Sequence, residues 1–445
     1  MNRCHWCNEK NETYINYHDN EWGKQNFDEQ YLYEMFILET FQAGLSWECI
    51  LNKRKSFDRI KKNKGLLNGV LFSLFSFINK GFSFLLVLIL ANYITPGEYG
   101  YLSLFVTFLM VLGYFMALST EGYLSISYFK NSDIGIKQTV SGILLISSVI
   151  LLSLLIIISL LGVPLENITQ LNIKCLYLAV IICFFTVFSN TFLDLFRLKE
   201  KVMLYGAISC SNALLNFITT ILLVKYVHLG WMGRVYSQFA CFSIYGLFGI
   251  LYFAYKGYIV LPSSSSLKKM IMWGLPIIPH LATSFIRQGC DRYIINYYHT
   301  ISDVGLFSFA LNLANIVVMI GVGFNQSNSV EIFKVLGDKT ITNREKKQKL
   351  LSQRKQFAKI YCILTLITTV IGYFIFPLVL PKYANSMNYF LLLAIWGLGQ
   401  CLYLLYTNYL FYYDKTKSIM YITFYSSLLH LLLSLLLTRY SLFFT

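Results

Sequence analysis

Two groups of residues in this 445-residue chain have the types and spacing to do chemistry. The first lies at the front. "RCHWC" (Arg3 to Cys7) and "NYHDNEWG" (Asn16 to Gly23) bring thiols, histidines and carboxylates close together, the donor set of a zinc site. The second lies deep in apolar sequence. His280, Ser284, Arg287 and Asp291 recur at spacings of 4, 3 and 4, and Arg292 follows directly. On an unbroken helix these four share one face. Charges at membrane depth are costly and face a cavity or a partner. One reading is a cationic stripe that lines a central cavity and attracts an anionic ligand. The other is an Arg287–Asp291 ion pair one turn apart, with Arg292 reaching the outer interface. One aspartate cannot neutralise two arginines and a histidine, which favours the cavity. Gly274, Pro276 and Pro279 predict a bend just before the stripe.

Smaller polar faces accompany it. Ser73, Ser76, Lys80 and Ser83 are spaced 3, 4 and 3, with Asn79 beside them and Lys80 near mid-span. They either line the same cavity or join helices through Ser and Asn hydrogen bonds. Ser308, Asn312 and Asn315 form a third face, with Asn325, Gln326 and Asn328 beyond it, and packing explains them as well as binding does. Glu121 and Asp194 fall near inner span ends and Arg234 near an outer one, so interfacial roles are expected for all three. The run from Thr342 to Lys359 fits either a helix that binds lipid headgroups or a solvated linker. No Walker motif, GxSxG or HExxH occurs, which disfavours ATP-driven transport within the chain.

Composition says what must position these groups. Hydrophobic residues make up 56% of the chain and charged ones only 13%, with a mean hydropathy of +0.55. A soluble chain carries about a quarter charged residues. Apolar runs near 66–94, 99–120, 139–161, 173–195, 203–225, 231–254, 270–297, 303–326, 357–379, 388–411 and 418–438 each reach the roughly 20 residues that a bilayer core demands. The expected class is an all-α integral membrane protein with about eleven transmembrane helices. The ten cysteines show no disulfide framework, and no signal peptide is evident.

Charge tests the order of spans. Residues 1–64 balance at ten basic and ten acidic groups, so the net +15 belongs to the membrane part. With a cytoplasmic N-terminus, the inside connections hold 26 basic residues and the outside ones four. That asymmetry is a positive-inside signal, not an affinity for nucleic acid. An internal echo adds to it: "EYGYLSL" (Glu98 to Leu104) and "DVGLFSF" (Asp303 to Phe309) open the second and eighth spans, 205 residues apart. The echo suggests two pseudo-repeated six-helix lobes, 66–256 and 268–445, with the twelfth helix missing.

"NYITPGEYGYLSLF", "FRLKEKVMLYGAIS", "GLPIIPHLATSFIRQGCDRYIINYYHTISDVGLFSFALNLANIV" and "YFLLLAIWGLGQCLYLLYTNYLFYYDKTKS" resemble the polysaccharide flippases of bacteria. These are similar to the multidrug and toxin extruders, of the same superfamily. The resemblance covers about 64–440. It implies two lobes around a central cationic cavity, alternating access, and an undecaprenyl-diphosphate-linked oligosaccharide moved from the inner to the outer leaflet. Lys80, His280, Arg287, Asp291 and Arg292 are then the substrate-binding candidates, because a diphosphate needs cationic partners. The resemblance further implies the bacterial cytoplasmic membrane, partner glycosyltransferases and a polymerase, no cofactor for transport, and no nucleic-acid partner. A drug or cation antiporter of this fold is the alternative, and it would want deep acidic groups.

"RCHWC", "YINYHDNEWG" and "LETFQAGLSWECILNKRKSF" resemble the N-terminal segment of DNA-3-methyladenine glycosylase I over about residues 3–57. That resemblance implies a short, partly helical cytoplasmic fragment over 1–60, with Cys4 and His18 as two zinc ligands. It implies Glu39 as the catalytic acidic group that reads the flipped base, and Tyr14, Tyr17 and Trp47 as aromatics around it. A four-ligand zinc site needs two more donors, and the later His228, His280, His299 and His430 lie in or beside apolar spans. A local site from Cys4, His5, Cys7 and His18 is a second option. Without its metal a segment of this size lacks a stable core, so an inactive remnant is expected. The alternative is active base excision from this segment.

Overall fold

In the computed structural model the described residues are 3–4, 6–8, 10–28, 31–32, 34–35, 38–39, 46–52, 54, 64–130, 133–338, 340–413 and 415–440. They are almost entirely helical, with no strand among them. The chain forms two compact units, Met1–Phe77 and Ile78–Thr445, and the division falls inside helix α3 (Lys64–Tyr93).

In the first unit α1 (Glu12–Asn20) starts at Asn11, whose side chain accepts from the Thr13 and Tyr14 amides. The same side chain also joins two helices. The Asn11 and Asn8 side-chain amides donate to Glu48 of α2 (Trp47–Asn52) at 2.7 and 2.8 Å, which ties α1 to α2. Beneath them Cys7, Tyr14, Leu38, Ile50 and Leu51 are buried. Arg54 bridges Glu21 and Glu34 at 2.6 and 2.8 Å.

The second unit continues with α4 (Pro96–Met116), α5 (Tyr123–Lys130), α6 (Asp133–Thr169), α7 (Ile173–Leu198), α8 (Val202–Ile221) and α9 (Gly230–Tyr255). It is completed by α10 (Ser264–Gly274), α11 (Ile277–Gln288), α12 (Cys290–Tyr298), α13 (Ile301–Gly337), α14 (Asn343–Val379), α15 (Met387–Tyr412) and α16 (Thr416–Leu437). Among the described residues ten helices are long and apolar enough to cross a bilayer. They coincide with ten of the eleven expected stretches. The seventh, 270–297, is instead broken into α10, α11 and α12. Pro276 supplies no N–H at the first break, and Gly289, a poor helix former, marks the second.

The echoed motifs meet each other. Thr95 and Thr300 cap α4 and α13, and Glu98 and Asp303 complete the two capping boxes in identical fashion. One turn later the helices touch backbone to backbone. A methyl on Gly100 would overlap the Ile301 carbonyl, and one on Gly305 would overlap that of Pro96. Ser103 then donates to Ser308 at 2.7 Å, both buried. Equivalent residues, each 205 apart, thus face one another across a single contact. Around it Leu104, Phe105, Val304 and Phe307 join the largest apolar cluster, and Tyr99, Phe309 and Tyr383 a second one.

Gly305→Val is expected to lower the melting temperature of the purified protein. Overpacking of this kind costs about 1–3 kcal/mol. Gly399→Ala, on open space along α15, is the control and should not lower it.

Candidate functional site

The polar centre of the second unit is built outward from that helix contact. Ser103 accepts from Arg292 Nε at 2.6 Å while it donates to Ser308. Asn312, one turn after Ser308, donates to the Tyr99 hydroxyl at 2.8 Å. Arg292 Nη1 also donates to the Gln288 carbonyl, which the turn at Gly289 exposes. A second guanidinium approaches from α9. Arg234 donates to Asn216 and, at 3.1 Å, to Thr220, in a network that Ser237 completes. Every acceptor that these two arginines use is neutral, and among the described residues neither has a carboxylate within 4 Å.

The expected stripe on one helix face does not exist as such. The break at Gly289 separates Arg287 from Asp291, so the one-turn ion pair between them is not formed. Asp291 is buried and accepts from His430 Nε2 at 3.0 Å and Ser434 Oγ at 3.3 Å, both on α16. Arg287 is half-buried, and its Nε has no hydrogen-bond partner among the described residues. His280 and Lys80 are exposed, on α11 and α3. Lys80 has no acidic partner among the described residues. Ser73 and Ser83 donate to carbonyls of their own helix, at Gly69 and Asn79, so these two hydroxyls are satisfied without a neighbouring helix.

Two contributors were not legible as such. Arg234, expected at an interface, sits in a buried hydrogen-bond network, and Asn216, Thr220 and Ser237 were the available signal. On α16 the buried side chains are polar: Ser427, Ser434 and Thr438 are enclosed while Leu429, Leu432 and Leu436 are exposed. Thr423, Ser427, His430, Ser434 and Thr438 recur at 4, 3, 4 and 4, a face that spacing alone could have revealed. Asp194 pairs with Arg197 at 2.8 Å, one turn further along α7.

Comparison with known proteins decides the family. Residues 66–329 match the family described as "Polysaccharide biosynthesis protein". The chain belongs to that family. One relative of this family member is "Lsg locus putative protein 1" of Haemophilus influenzae, 24% identical over 76% of the chain and 82% of the relative. Among solved structures it is similar to one titled "Inward-facing conformation of a multidrug resistance MATE family transporter of the MOP superfamily". That likeness has a TM-score of 0.61 and 14% identity, covers 82% of this chain and 88% of the other, and gives the fold alone. The family member is therefore an all-helical membrane protein with a transporter fold.

Residues 6–63 match a second family, "Methyladenine glycosylase". The "DNA-3-methyladenine glycosylase" of Haemophilus influenzae is 54% identical to this segment over 55 residues. The chain spans only 29% of that relative's length and 12% of its own. Within the first unit Tyr14, Tyr17, Glu39 and Trp47 do come together. With Trp6 and Trp22 they line a cavity of about 270 Å³. Trp47 meets Tyr17 edge to face at 5.5 Å, and burial pushes the Tyr17 hydroxyl pKa up.

Cys4 and His18 are also adjacent. The Cys4 amide donates to His18 Nε2 at 3.3 Å, and His18 Nδ1 pairs with Asp19 at 2.8 Å. A carboxylate on Nδ1 is how metal-binding histidines are oriented. His5 lies outside the described residues. Among the described residues no third donor joins this pair, so it does not complete a zinc site. The group that does gather three is Cys290, Asp291 and His430, whose donor atoms lie within 4.8 Å of one another. It too falls short of the four ligands of a structural zinc site.

These contacts have two measurable outcomes. Hydrogen bonds from Arg3 and then His18 hold the Asp19 carboxyl at about 2, below its ordinary 3.8. A depressed folded value means that the stabilisation is complete above about pH 4 and is lost as pH falls toward 2. Pepsin should therefore cut the segment faster at pH 2 than at pH 4, and Asp19→Asn should abolish that difference once corrected against an unstructured peptide. In the second unit, Asp291→Asn and His430→Ala should each lower the melting temperature. Their double variant should cost less than the sum by about 1 kcal/mol.

Proposed function

We propose that this family member exports lipid-linked oligosaccharide, moving undecaprenyl-diphosphate-linked repeat units from the inner to the outer leaflet by alternating access. One observation carries the reading. The buried carboxylate of the broken seventh stretch accepts from His430 and Ser434, and among the described residues neither Arg287 nor Arg292 forms an ion pair with it, so one acid stands against two guanidinium groups. Uncompensated guanidinium groups at membrane depth cost several kcal/mol unless water or an anion meets them. A diphosphate supplies that charge and accepts several hydrogen bonds from them. Lys80, exposed and unpaired, belongs to the same cavity on this reading, and His280 borders it.

The reading takes 66–256 and 268–445 as lobes that rock about the Gly100–Gly305 contact, with the broken stretch as the element that reorients. It places the protein in the bacterial cytoplasmic membrane with the N-terminus inside, acting beside glycosyltransferases and a polymerase. No cofactor is needed for the transport step. A drug or cation antiporter of this fold is the alternative; Asp291 is already hydrogen-bonded, and Glu121, whose buried Oε2 has no hydrogen-bond partner among the described residues, is the acid it would use.

The test is complementation of a flippase-null strain. The unmodified chain should restore surface glycan, while Arg292→Ala and Arg287→Ala should each reduce export at least tenfold at equal protein level, and Lys80→Ala more mildly. Full export by all three variants would remove the cationic cavity. For the first unit we propose no base excision: purified full-length chain should release no 3-methyladenine from alkylated DNA. Release that disappears on Glu39→Gln would reverse this.

A further inference from the structure

Helix α14 is far longer than a bilayer requires. Its 37 residues extend about 55 Å, against a hydrocarbon core of about 30 Å. Charge divides it sharply. Residues 360–379 contain no charged side chain, and 343–359 contain seven basic ones and a single acid, Glu345. The first part therefore projects beyond the hydrocarbon by about 25 Å.

The basic residues of the projecting part fall into two sets. One set faces protein. Lys346 Nζ donates to the Leu336 carbonyl at 2.9 Å, Lys349 pairs with Glu331 at 3.6 Å, and Arg354 lies over the Tyr406 ring at 5.2 Å. Between them Leu350, Phe357 and Tyr361 pack against α13 and α15. The other set, Arg344, Lys347, Lys355 and Lys359, is exposed. None of the four has an acidic partner among the described residues. Nearby acids are occupied: Glu331 by Lys349, Glu345 by the Thr342 cap, and Asp338 by Thr340.

This exposed set continues directly into lipid-facing surface. Lys355, Lys359, Ile363, Leu366, Val370 and Phe374 follow at spacings of 4, 4, 3, 4 and 4, a single outward stripe. The apolar members are 56%, 64%, 47% and 65% exposed. Lipid tails alone can cover that surface in a bilayer. Whatever covers the next two turns of the same stripe occupies the headgroup layer, which is about 5–7 Å thick per leaflet. Lys359 stands at its inner edge and Lys355 about 6 Å further out, while Lys347 and Arg344 lie about 18–23 Å out.

We propose that Lys355 and Lys359 form a binding site for anionic phospholipid headgroups, at the edge of the second unit. Arg344 and Lys347 lie beyond a Debye length of about 8 Å and add little to it. The site stands on the shape and charge of α14 and does not depend on the transport reading. It fixes α14, and through Tyr361 and Phe357 its packing on α13 and α15, to the leaflet that carries the basic connections.

The experiment uses full-length protein extracted from mixed phosphatidylcholine and phosphatidylglycerol bilayers, with retained lipid counted by native mass spectrometry. A cation beside an anionic surface is worth about fivefold in affinity. Lys355→Gln with Lys359→Gln should therefore lower phosphatidylglycerol enrichment by about 25-fold. Arg344→Gln with Lys347→Gln should change it less than twofold. Both pairs should melt like the unmodified protein in phosphatidylcholine alone, because none of the four makes a side-chain hydrogen bond or ion pair among the described residues. Unchanged enrichment in the proximal pair overturns the proposal. So does a distal pair that matters as much as the proximal one, which would point to an acidic soluble partner.

Discussion

The contact between α4 and α13 at Gly100 and Gly305 governs the rest of the second unit. Backbones can approach this closely only where no side chain intervenes, and the approach brings Ser103 and Ser308 into hydrogen-bond range. Ser103 in turn is what Arg292 holds. A steric permission at two glycines thus determines where a guanidinium ends up at membrane depth. The capping boxes at Thr95 and Thr300 set the start of both helices, and so fix the register in which these glycines and serines meet. Helix association in lipid relies on such close packing, because burial of apolar surface gains little there.

Much of this was legible in sequence, for identifiable reasons. Apolar run length and basic asymmetry are averages over many residues, so the spans and the class came through. The echo around Gly100 and Gly305 was legible as a repeat, yet nothing in spacing says that the two copies touch. The stripe from His280 to Asp291 misled because a shared face requires an unbroken helix, and one glycine is enough to rotate the turns beyond it. His430 was visible only as a histidine in an apolar span. Its role appears once α16 is seen to turn its polar face inward, a long-range choice that no local pattern encodes. The front pocket is different again. Tyr14, Tyr17, Glu39 and Trp47 are scattered over 34 residues with no shared periodicity, and only the resemblance to a known enzyme family grouped them.

The first unit gathers residues that lie far apart in its sequence. Six side chains line an open cavity, and a carboxylate pairs with His18. The matched segment lacks the remainder of the chain that its relatives possess, since it spans 29% of one of them.

The Asp291–His430 pair has a consequence for biosynthesis. The two residues are 139 positions apart, and the carboxylate is made first. Until the polar face of α16 has emerged from the ribosome, α12 carries a bare acid that hydrocarbon rejects. The broken seventh stretch is thus a provisional tenant of the bilayer during synthesis, and its final seat is fixed only when the histidine arrives.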